Sequence, residues 1–229
     1  MVHLAALSFV GHEDLSGFYD VNLFGTLNLL EGLRASPICP ERILIASSAN
    51  VYGNCSVSPI AENTPPAPVN HYATSKLAME CMARTYLDAL NLIFVRPFNY
   101  TGLGQSPSFL IPKLVDHFKA EAPKIELGNL DVIREYNDVR MVSEAYLELL
   151  NHGQIGETYN ICSGRGYSLN TVLDLLKSLT GHSLTIEINP KLVRQNEVKE
   201  LLGDPQKLIS SIGGLKLQSL SETLSWMLG

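Results

Sequence analysis

The sequence is poor in positive charge, and the basic residues that it has are scattered along the chain. It holds 17 Lys and Arg residues against 23 Asp and Glu, which gives a formal net charge of -6 and a pI near 5.5. Proteins that bind nucleic acid normally carry a clustered basic face. We therefore expect no nucleic-acid partner, although a few well-placed arginines suffice to bind a small phosphate ligand.

Cysteines and long apolar runs are also scarce. Neither a CxxC pair nor a metal-ligand spacing occurs among the four cysteines, Cys39, Cys55, Cys81 and Cys162. The opening residues lack the basic flank and apolar stretch of a signal peptide, and no apolar run reaches the roughly 20 residues needed to cross a bilayer. These features predict reduced thiols, a cytoplasmic protein, no membrane span and no metal.

Apolar residues make up 45% of the chain and recur in short runs that are separated by longer amphipathic stretches. This alternation is typical of strands and helices that follow one another in an α/β protein with a parallel sheet. The short runs predict strands at residues 2–6, 42–46, 92–95 and 157–162. The amphipathic stretches predict helices at residues 22–33, 70–90 and 139–150, with Asn70 as an N-cap.

The pattern of the chain changes after Gly102. Prolines become more frequent, and an amphipathic helix at 111–120 precedes a strand at 124–127. A helix, a strand and a helix then alternate over residues 169–179, 184–188 and 217–228. The sequence therefore predicts two lobes, 1–102 and 103–229, with 138–163 returning to the first sheet.

Tyr72 and Lys76 lie four residues apart in the predicted helix at 70–90, so their side chains share one face about one turn apart. A nearby ammonium favours phenolate over phenol and lowers a tyrosine pKa from about 10, which suits proton exchange with a carbonyl or alcohol oxygen. The pair is a candidate proton donor. By spacing alone, a solvated helix face is the more common arrangement, and that alternative stays open.

A second polar feature, Ser47-Ser48, follows the predicted strand at 42–46. A hydroxyl at the carboxyl end of a parallel strand faces the ligand crevice of an open α/β sheet. Ser48 could there donate a hydrogen bond to the carbonyl oxygen that Tyr72 protonates, which would stabilise developing alkoxide charge. The alternative is that the two serines merely end a strand.

Together these motifs resemble the extended short-chain dehydrogenase/reductases, also described as NAD-dependent epimerase/dehydratases. Residues 3–6 (His-Leu-Ala-Ala), 22–26 (Asn-Leu-Phe-Gly-Thr) and 96–99 (Arg-Pro-Phe-Asn) extend the likeness in the order of that family. The resemblance implies an α/β fold with a Rossmann-type parallel sheet, an NADP or NAD cofactor, and catalysis by Ser48, Tyr72 and Lys76. The implied cofactor contacts are Leu4, Ala5, Ala6, Asn22, Ser47, Tyr72, Lys76 and Pro97.

Within that family, the stretches 96–105, 128–131, 138–140 and 159–164 most resemble reductases of GDP-linked 4-keto-6-deoxymannose. By this resemblance the reaction is NAD(P)-dependent reduction of a nucleotide-diphosphate sugar. Residues 1–102 would be a partial dinucleotide-binding domain, and 103–229 a small C-terminal α/β substrate lobe. The implied substrate contacts are Asn99, Arg134, Arg194 and Glu197, of which the arginines suit phosphate oxygens. Family members usually pair through the helices that carry Asn22 and Tyr72, which implies a homodimer.

One departure from the family bears on the reaction. Sugar 4,6-dehydratases follow the catalytic hydroxyl with two polar or acidic residues, the second a glutamate that removes a proton, where this chain has Ala49 and Asn50. Alanine has no proton chemistry, and an amide is a poor base. Dehydration is therefore disfavoured, which leaves ketone reduction or, as an alternative, a nucleotide-sugar 4-epimerase.

A second departure concerns the cofactor phosphates. The chain has no GxxGxxG motif, and Gly11, Gly17 and Gly25 are too widely spaced to replace it. In the family, a glycine-rich turn after the first strand supplies backbone donors to the pyrophosphate. We therefore expect an N-terminally truncated sheet with an exposed edge strand, and an inactive fragment or one half of a split enzyme is a further alternative.

Overall fold

The computed structural model of the chain describes residues 1–9, 14–193 and 199–229. Its strands are β1 (Val2–His3), β2 (Ile43–Ala46), β3 (Leu92–Pro97), β4 (Tyr100–Thr101), β5 (Lys124–Leu127), β6 (Ile133–Arg134), β7 (Asn137–Asp138), β8 (Thr158–Ile161), β9 (Tyr167–Ser168), β10 (Thr185–Ile188) and β11 (Glu200–Leu201). Its α-helices are α1 (Leu15–Tyr19), α2 (Thr26–Ala35), α3 (His71–Arg84), α4 (Leu110–Lys119), α5 (Val139–His152), α6 (Leu169–Thr180), α7 (Gln206–Ile212) and α8 (Leu220–Leu228).

The largest sheet has four parallel strands in the order β1-β2-β3-β8. Side chains alternate between its faces because successive residues of a strand point in opposite directions. On one face, Ile43 and Phe94 pack against α2 and α3, while on the other Leu44 and Val95 pack against α5 and α7. Both faces are covered, which explains why the strands are continuous apolar runs instead of alternating ones. The predicted Rossmann-type α/β sheet is confirmed.

The first strand is shorter than predicted. Pairing with β2 ends at His3, and the backbone from Leu4 onward leaves the sheet. The strand lies at the edge of the sheet, and Leu4 is 58% exposed. The predicted strand 2–6 is therefore only its first two residues, since no paired partner extends the ladder further in the described part of the chain.

Helix α3 begins where the sequence predicted. The Asn70 side chain accepts a 2.8 Å hydrogen bond from the Ala73 amide, which satisfies one of the free N–H groups of the first turn. The helix ends at Arg84 and not at the predicted residue 90. The Thr85 hydroxyl donates to the Met82 carbonyl, and the following amides make tight turns, so the α-helical ladder stops there.

The predicted helix at 22–33 begins with a π-helical segment, Asp20–Gly25, which continues into α2. Such widened turns are rare and occur often at functional sites. The apolar spacing of this segment is that of an ordinary amphipathic helix, so the sequence does not indicate its π-helical hydrogen bonds.

A second group of elements follows β3. Helices α4, α6 and α8 enclose an apolar cluster with β5, and short strands pair as β10-β5, β11-β6-β9 and β4-β7. Strand β8 pairs with β3 in the central sheet, and helix α5 packs against that sheet. Within the described ranges, no helix has the length and apolarity needed to cross a membrane.

Candidate active site

Tyr72 and Lys76 occupy the inward face of α3. Tyr72 is 7% exposed and Lys76 is 4% exposed, so the alternative of a solvated helix face is wrong. The Lys76 ammonium donates a 2.7 Å hydrogen bond to the Ala46 carbonyl at the end of β2. Helix α3 therefore brings both side chains to the carboxyl end of a central parallel strand, where ligands bind in open α/β sheets.

Ser48 follows β2 and caps a short 3₁₀ turn, Ala49–Tyr52. Its hydroxyl oxygen accepts 3.2 Å hydrogen bonds from both the backbone amide and the side-chain amide of Asn50. The Ser48 side chain also hydrogen-bonds the Tyr72 phenol. Because Asn50 occupies the acceptor positions of Ser48, the Ser48 proton is left to be donated toward Tyr72 or a ligand oxygen. Asn50, which is a poor base, thus orients the Ser48 hydroxyl, a role that its residue type alone does not indicate.

The pKa of Tyr72 differs from the sequence-based expectation. Burial raises it to about 12, the hydrogen bond from Ser48 lowers it in part, and Tyr100 raises it further. Burial disfavours the phenolate, and the Lys76 ammonium is held on the Ala46 carbonyl, so the expected lowering by lysine does not prevail. Tyr72 is thus a neutral phenol at physiological pH, which is the form that gives up a proton.

The pKa of Lys76 is lowered to about 8 by burial, an effect that Glu80 opposes by raising it. Below that pH the side chain carries a positive charge in a site with little water. A charge in such surroundings acts strongly on a neighbouring phenol that is losing its proton. Ser48, Tyr72 and Lys76 are therefore brought together as a hydrogen-bond donor, an acid and a cation.

The carboxyl ends of β1, β2 and β3 surround this constellation and fit one end of a dinucleotide. Leu4 and Ala5 are exposed there, and Ala6 and Pro97 are half-buried. The Ser47 hydroxyl is buried and has no hydrogen-bond partner among the described residues. A buried hydroxyl without a partner is costly unless a ligand or water completes it. The Ser47 hydroxyl and the Lys76 ammonium are suitable partners for a ribose or a carboxamide.

Asn22, a predicted cofactor contact, is buried between the segment after β1 and helix α3. Its side chain is 1% exposed, and it exchanges hydrogen bonds with the Leu7 backbone at 2.8 and 3.1 Å and donates to the Ser75 hydroxyl at 3.0 Å. Asn22 thereby joins the segment after β1 to α3, next to Tyr72.

The predicted substrate contacts fall in three places. Asn99 is exposed at the end of β3, and its carbonyl accepts a 2.9 Å hydrogen bond from the Asn137 amide. Arg134 is buried on β6, where its guanidinium donates to the Ile133 carbonyl at 2.8 Å and to the Lys199 carbonyl at 3.1 Å. Arg194 and Glu197 lie outside the described residues.

Glu135, next to Arg134, is a buried carboxylate that the sequence analysis overlooked. It accepts hydrogen bonds from the Ser163 amide at 2.7 Å, the Gly203 amide at 2.7 Å and the Asn137 side chain at 3.0 Å. Burial raises the pKa of Glu135, and these donors oppose the rise. The carboxylate ties β6 and β7 to the ends of β8 and β11, which holds the Arg134 backbone in place.

No group of three or more His, Cys, Asp or Glu side chains within residues 1–9, 14–193 and 199–229 is arranged to hold a metal ion. The four cysteines are unpaired, and Cys162 is the one that is fully buried. Burial raises the pKa of the Cys162 thiol well above its usual range, and the nearby Glu135 carboxylate adds to the rise. That thiol therefore stays protonated and unreactive.

Comparison with known proteins adds independent information. The family model described as GDP-mannose 4,6 dehydratase matches residues 1–225. The chain is 38% identical over 213 residues to GDP-6-deoxy-D-talose 4-dehydrogenase of Aggregatibacter actinomycetemcomitans, covering 93% of this chain and 72% of that protein. It is 34% identical over 224 residues to GDP-6-deoxy-D-mannose reductase of Pseudomonas aeruginosa, covering 93% and 73%.

Solved structures agree with this relationship. A protein from Burkholderia cenocepacia J2315 has a TM-score of 0.92 and 48% identity, over 99% of this chain and 73% of that one. RMD from Pseudomonas aeruginosa, solved in complex with NADPH, has a TM-score of 0.92 and 32% identity, over 99% and 79%. The chain therefore belongs to the GDP-mannose 4,6-dehydratase family of NAD(P)-dependent nucleotide-sugar enzymes.

Proposed function

We propose that the chain reduces the 4-keto group of a GDP-linked 4-keto-6-deoxy sugar with NADPH or NADH. The observation that carries this proposal is the buried Tyr72 phenol at the carboxyl end of β2, hydrogen-bonded to Ser48 and one helical turn from Lys76. The two relatives above act, by their names, on GDP-linked 6-deoxyhexoses. Both support the same chemistry at this site.

In the proposed reaction, Ser48 donates a hydrogen bond to the ketone oxygen and polarises the carbonyl. A bound NAD(P)H supplies the hydride. As negative charge grows on the oxygen, Tyr72 transfers its proton to it, and the Lys76 ammonium stabilises the phenolate that is left. Asn50 keeps the Ser48 hydroxyl pointing as a donor throughout.

The residues beside Ser48 argue against dehydration, despite the name of the family model. Ala49 is buried and has no proton chemistry, and the Asn50 amide is committed to Ser48 through its N–H groups. Removal of a proton next to the ketone needs a base at this edge of the site. Neither residue supplies one, which favours simple reduction.

The two relatives differ in the product that their names imply. The 6-deoxy forms of mannose and talose differ in configuration at C4, so they arise from reduction of opposite faces of one 4-ketone. The face is decided by how the sugar lies against Tyr72. We propose that Asn99, Arg134, Arg194 and Glu197 hold the nucleotide diphosphate and so set that orientation, with 103–229 as the substrate lobe and 1–102 as the dinucleotide-binding domain.

We also propose a homodimer. Apolar side chains on the segment that carries Asn22 face outward, with Phe24 51% exposed and Val21 39% exposed. A second copy packed there would cover them. Sedimentation of the protein and of a Phe24→Glu variant tests this, and a monomeric wild-type protein would contradict it.

The test of the reaction uses the purified chain, GDP-4-keto-6-deoxymannose and either NADPH or NADH. We expect stoichiometric oxidation of the cofactor and one C4 epimer of the GDP-6-deoxyhexose as product. Interconversion of C4 epimers without net oxidation would indicate a 4-epimerase instead.

Calorimetric titration with each cofactor measures binding separately from chemistry. This separation matters because the sequence has no GxxGxxG motif to bind the pyrophosphate. We expect saturable binding that Lys76→Met weakens and that Lys124→Met, a substitution at an exposed position of β5, leaves unchanged. A folded wild-type chain that binds neither cofactor would contradict the proposed activity of the chain.

A further inference from the structure

Helix α3 carries a third buried ionisable residue in line with the proposed catalytic pair. Tyr72, Lys76 and Glu80 are spaced at four-residue intervals, so they lie one above another on one helix face. All three are buried. Glu80 is thus the carboxylate one turn beyond Lys76, on the side away from Tyr72.

Glu80 is paired with Arg96 of β3. The guanidinium donates to both carboxylate oxygens, at 3.0 Å from Nε and 2.7 Å from Nη2, which is the two-pronged geometry of a strong ion pair. The third nitrogen, Nη1, donates to the Tyr52 hydroxyl at 3.0 Å, and Tyr52 donates to Asn160 at 2.8 Å. The pair is therefore fixed from both sides.

An ion pair of this kind needs an explanation beyond stability. Removing two charges from water costs several kcal/mol for each ion, so a buried pair is often no more stabilising than apolar residues of similar size. Arg96 and Glu80 lie where the sheet packs on α3, among apolar neighbours such as Phe94 and Met79. Their position next to Lys76 suggests an electrostatic role.

Of the other ionisable groups near the pair, His3, Tyr52 and Tyr72 are uncharged in the relevant pH range, whereas the Glu62 carboxylate lies near Tyr52. The pKa of His3 on β1 is lowered by burial and then by Lys76, so that ring is neutral above its usual pKa. The pKa of Tyr52 is raised to about 12 by burial, and Arg96 opposes the rise while Glu62 adds to it. Tyr72 is likewise a neutral phenol.

We propose that Glu80, held by Arg96, is a positioning residue that keeps the Lys76 ammonium charged beside Tyr72. Glu80 supplies a negative charge one turn from the ammonium, and Arg96 fixes that carboxylate in place with two hydrogen bonds. The functional consequence rests on the proposed role of Lys76, whereas the electrostatic relationship does not.

The electrostatics support this reading. Burial lowers the pKa of Lys76 to about 8, and Glu80 acts in the opposite direction. Without Glu80 the ammonium would lose its proton closer to neutral pH. An uncharged lysine no longer stabilises the Tyr72 phenolate, so the acid would be weakened in the pH range where it has to work.

The test is a titration of Lys76 by heteronuclear NMR in the full chain, without substrate or cofactor. The chain is labelled with isotopically enriched lysine, and the Lys76 signal is assigned by its loss in Lys76→Met. We expect a wild-type midpoint near pH 8. Glu80→Gln should move the midpoint down, because it leaves the Arg96 charge alone, and Arg96→Met should move it up, because it leaves the Glu80 charge alone.

The opposite directions of the two shifts distinguish an electrostatic role of the pair from a structural one, since both substitutions break the same ion pair. A merely structural pair would give shifts in the same direction or none, and either result would overturn the proposal. The double variant Glu80→Gln/Arg96→Met removes both buried charges and is the one least prone to unfold. We expect its midpoint to lie below that of the wild type and above that of Glu80→Gln, and a midpoint at or above the wild type would also overturn the proposal.

If the chain is active, the alkaline limit of kcat/KM should follow the NMR midpoint in each variant. An inactive chain with the expected NMR shifts would refute the proposed function and leave the role of Glu80 intact. Unshifted NMR midpoints in an active chain would refute the role of Glu80 and leave the proposed function intact.

Discussion

The Lys76 ammonium group donates a 2.7 Å hydrogen bond to the backbone carbonyl of Ala46, the last residue of β2. This contact joins the helix that carries Tyr72 to the strand that leads into Ser48. It places the donor, the acid and the cation at one point of the fold, although Ser48 lies 24 residues before Tyr72 in the sequence. Lysine differs from arginine at such a position, because burial readily shifts the pKa of a lysine whereas an arginine side chain stays charged.

Tyr72→Phe should abolish reduction while leaving the fold unchanged. The substitution removes only the hydroxyl that donates the proton, and loss of a general acid lowers rates about 100- to 10,000-fold. Steady-state kinetics with a GDP-linked 4-keto sugar measure the effect. Tyr86→Phe is the matched control, because that hydroxyl bonds Glu31 and not the site. Wild-type activity in Tyr72→Phe would refute the assignment of the acid.

The pH dependence of reduction should follow Lys76. Lys76 has a pKa of about 8, so its side chain is charged below that pH and neutral above it. Tyr72 has a pKa of about 12, so its phenol stays protonated throughout. Reduction should therefore decline as the pH rises through about 8. A reduction rate that increases across this range would contradict the assignment.

Asn50 should matter through Ser48. Ser48→Ala removes a donor to the developing oxyanion, a loss of about 100- to 1,000-fold in kcat in comparable sites. Asn50→Ala should cost less, because Ser48 remains and is only less well oriented. Asn50→Asp should be worse than Asn50→Ala, because a carboxylate accepts the Ser48 proton and turns the hydroxyl away from the ketone.

A double variant checks the coupling between these two residues. Because Asn50 acts only through the Ser48 hydroxyl, Ser48→Ala/Asn50→Ala should be no slower than Ser48→Ala alone. Fully additive losses in kcat would show that Asn50 has a separate role.

Two glycines should respond to alanine in opposite ways. A Cβ at Gly203 would lie 2.6 Å from the Cys162 Sγ and 2.7 Å from the Phe98 ring, so Gly203→Ala should destabilise the fold by about 1–3 kcal/mol. Gly32, inside α2, has nothing within 4 Å of its Cβ position. Gly32→Ala should stabilise the fold by about 0.5–1 kcal/mol, since alanine restricts the unfolded chain.

Chemical denaturation of the two glycine variants and the wild type measures both changes in the free energy of unfolding. Gly32→Ala serves as the control for adding a methyl group. Equal stability of Gly203→Ala and wild type would mean that the packing around Cys162 and Phe98 yields more easily than the structure indicates.

Much of the fold was predictable because it depends on local patterns. The strands predicted at 42–46 and 92–95 are recognisable since both faces of a central parallel strand are buried. Asn70 was predictable as a cap from its side-chain chemistry, and it bonds the Ala73 amide as a cap does. The helix end at Arg84 was not predictable, because residues 85–90 have acceptable helical spacing and stop the helix only through specific turn contacts.

The sequence by itself determined which groups could take part in the chemistry: Ser48 after a strand, and Tyr72 and Lys76 one turn apart on a helix. The tertiary structure decided their state. Packing of α3 against β2 buried Tyr72 and raised its pKa where spacing alone predicted a lower one, and it paired Glu80 with Arg96 across 16 residues of sequence. Protonation and orientation depend on the loss of water and on neighbours from distant segments, and neither is encoded in local residue spacing.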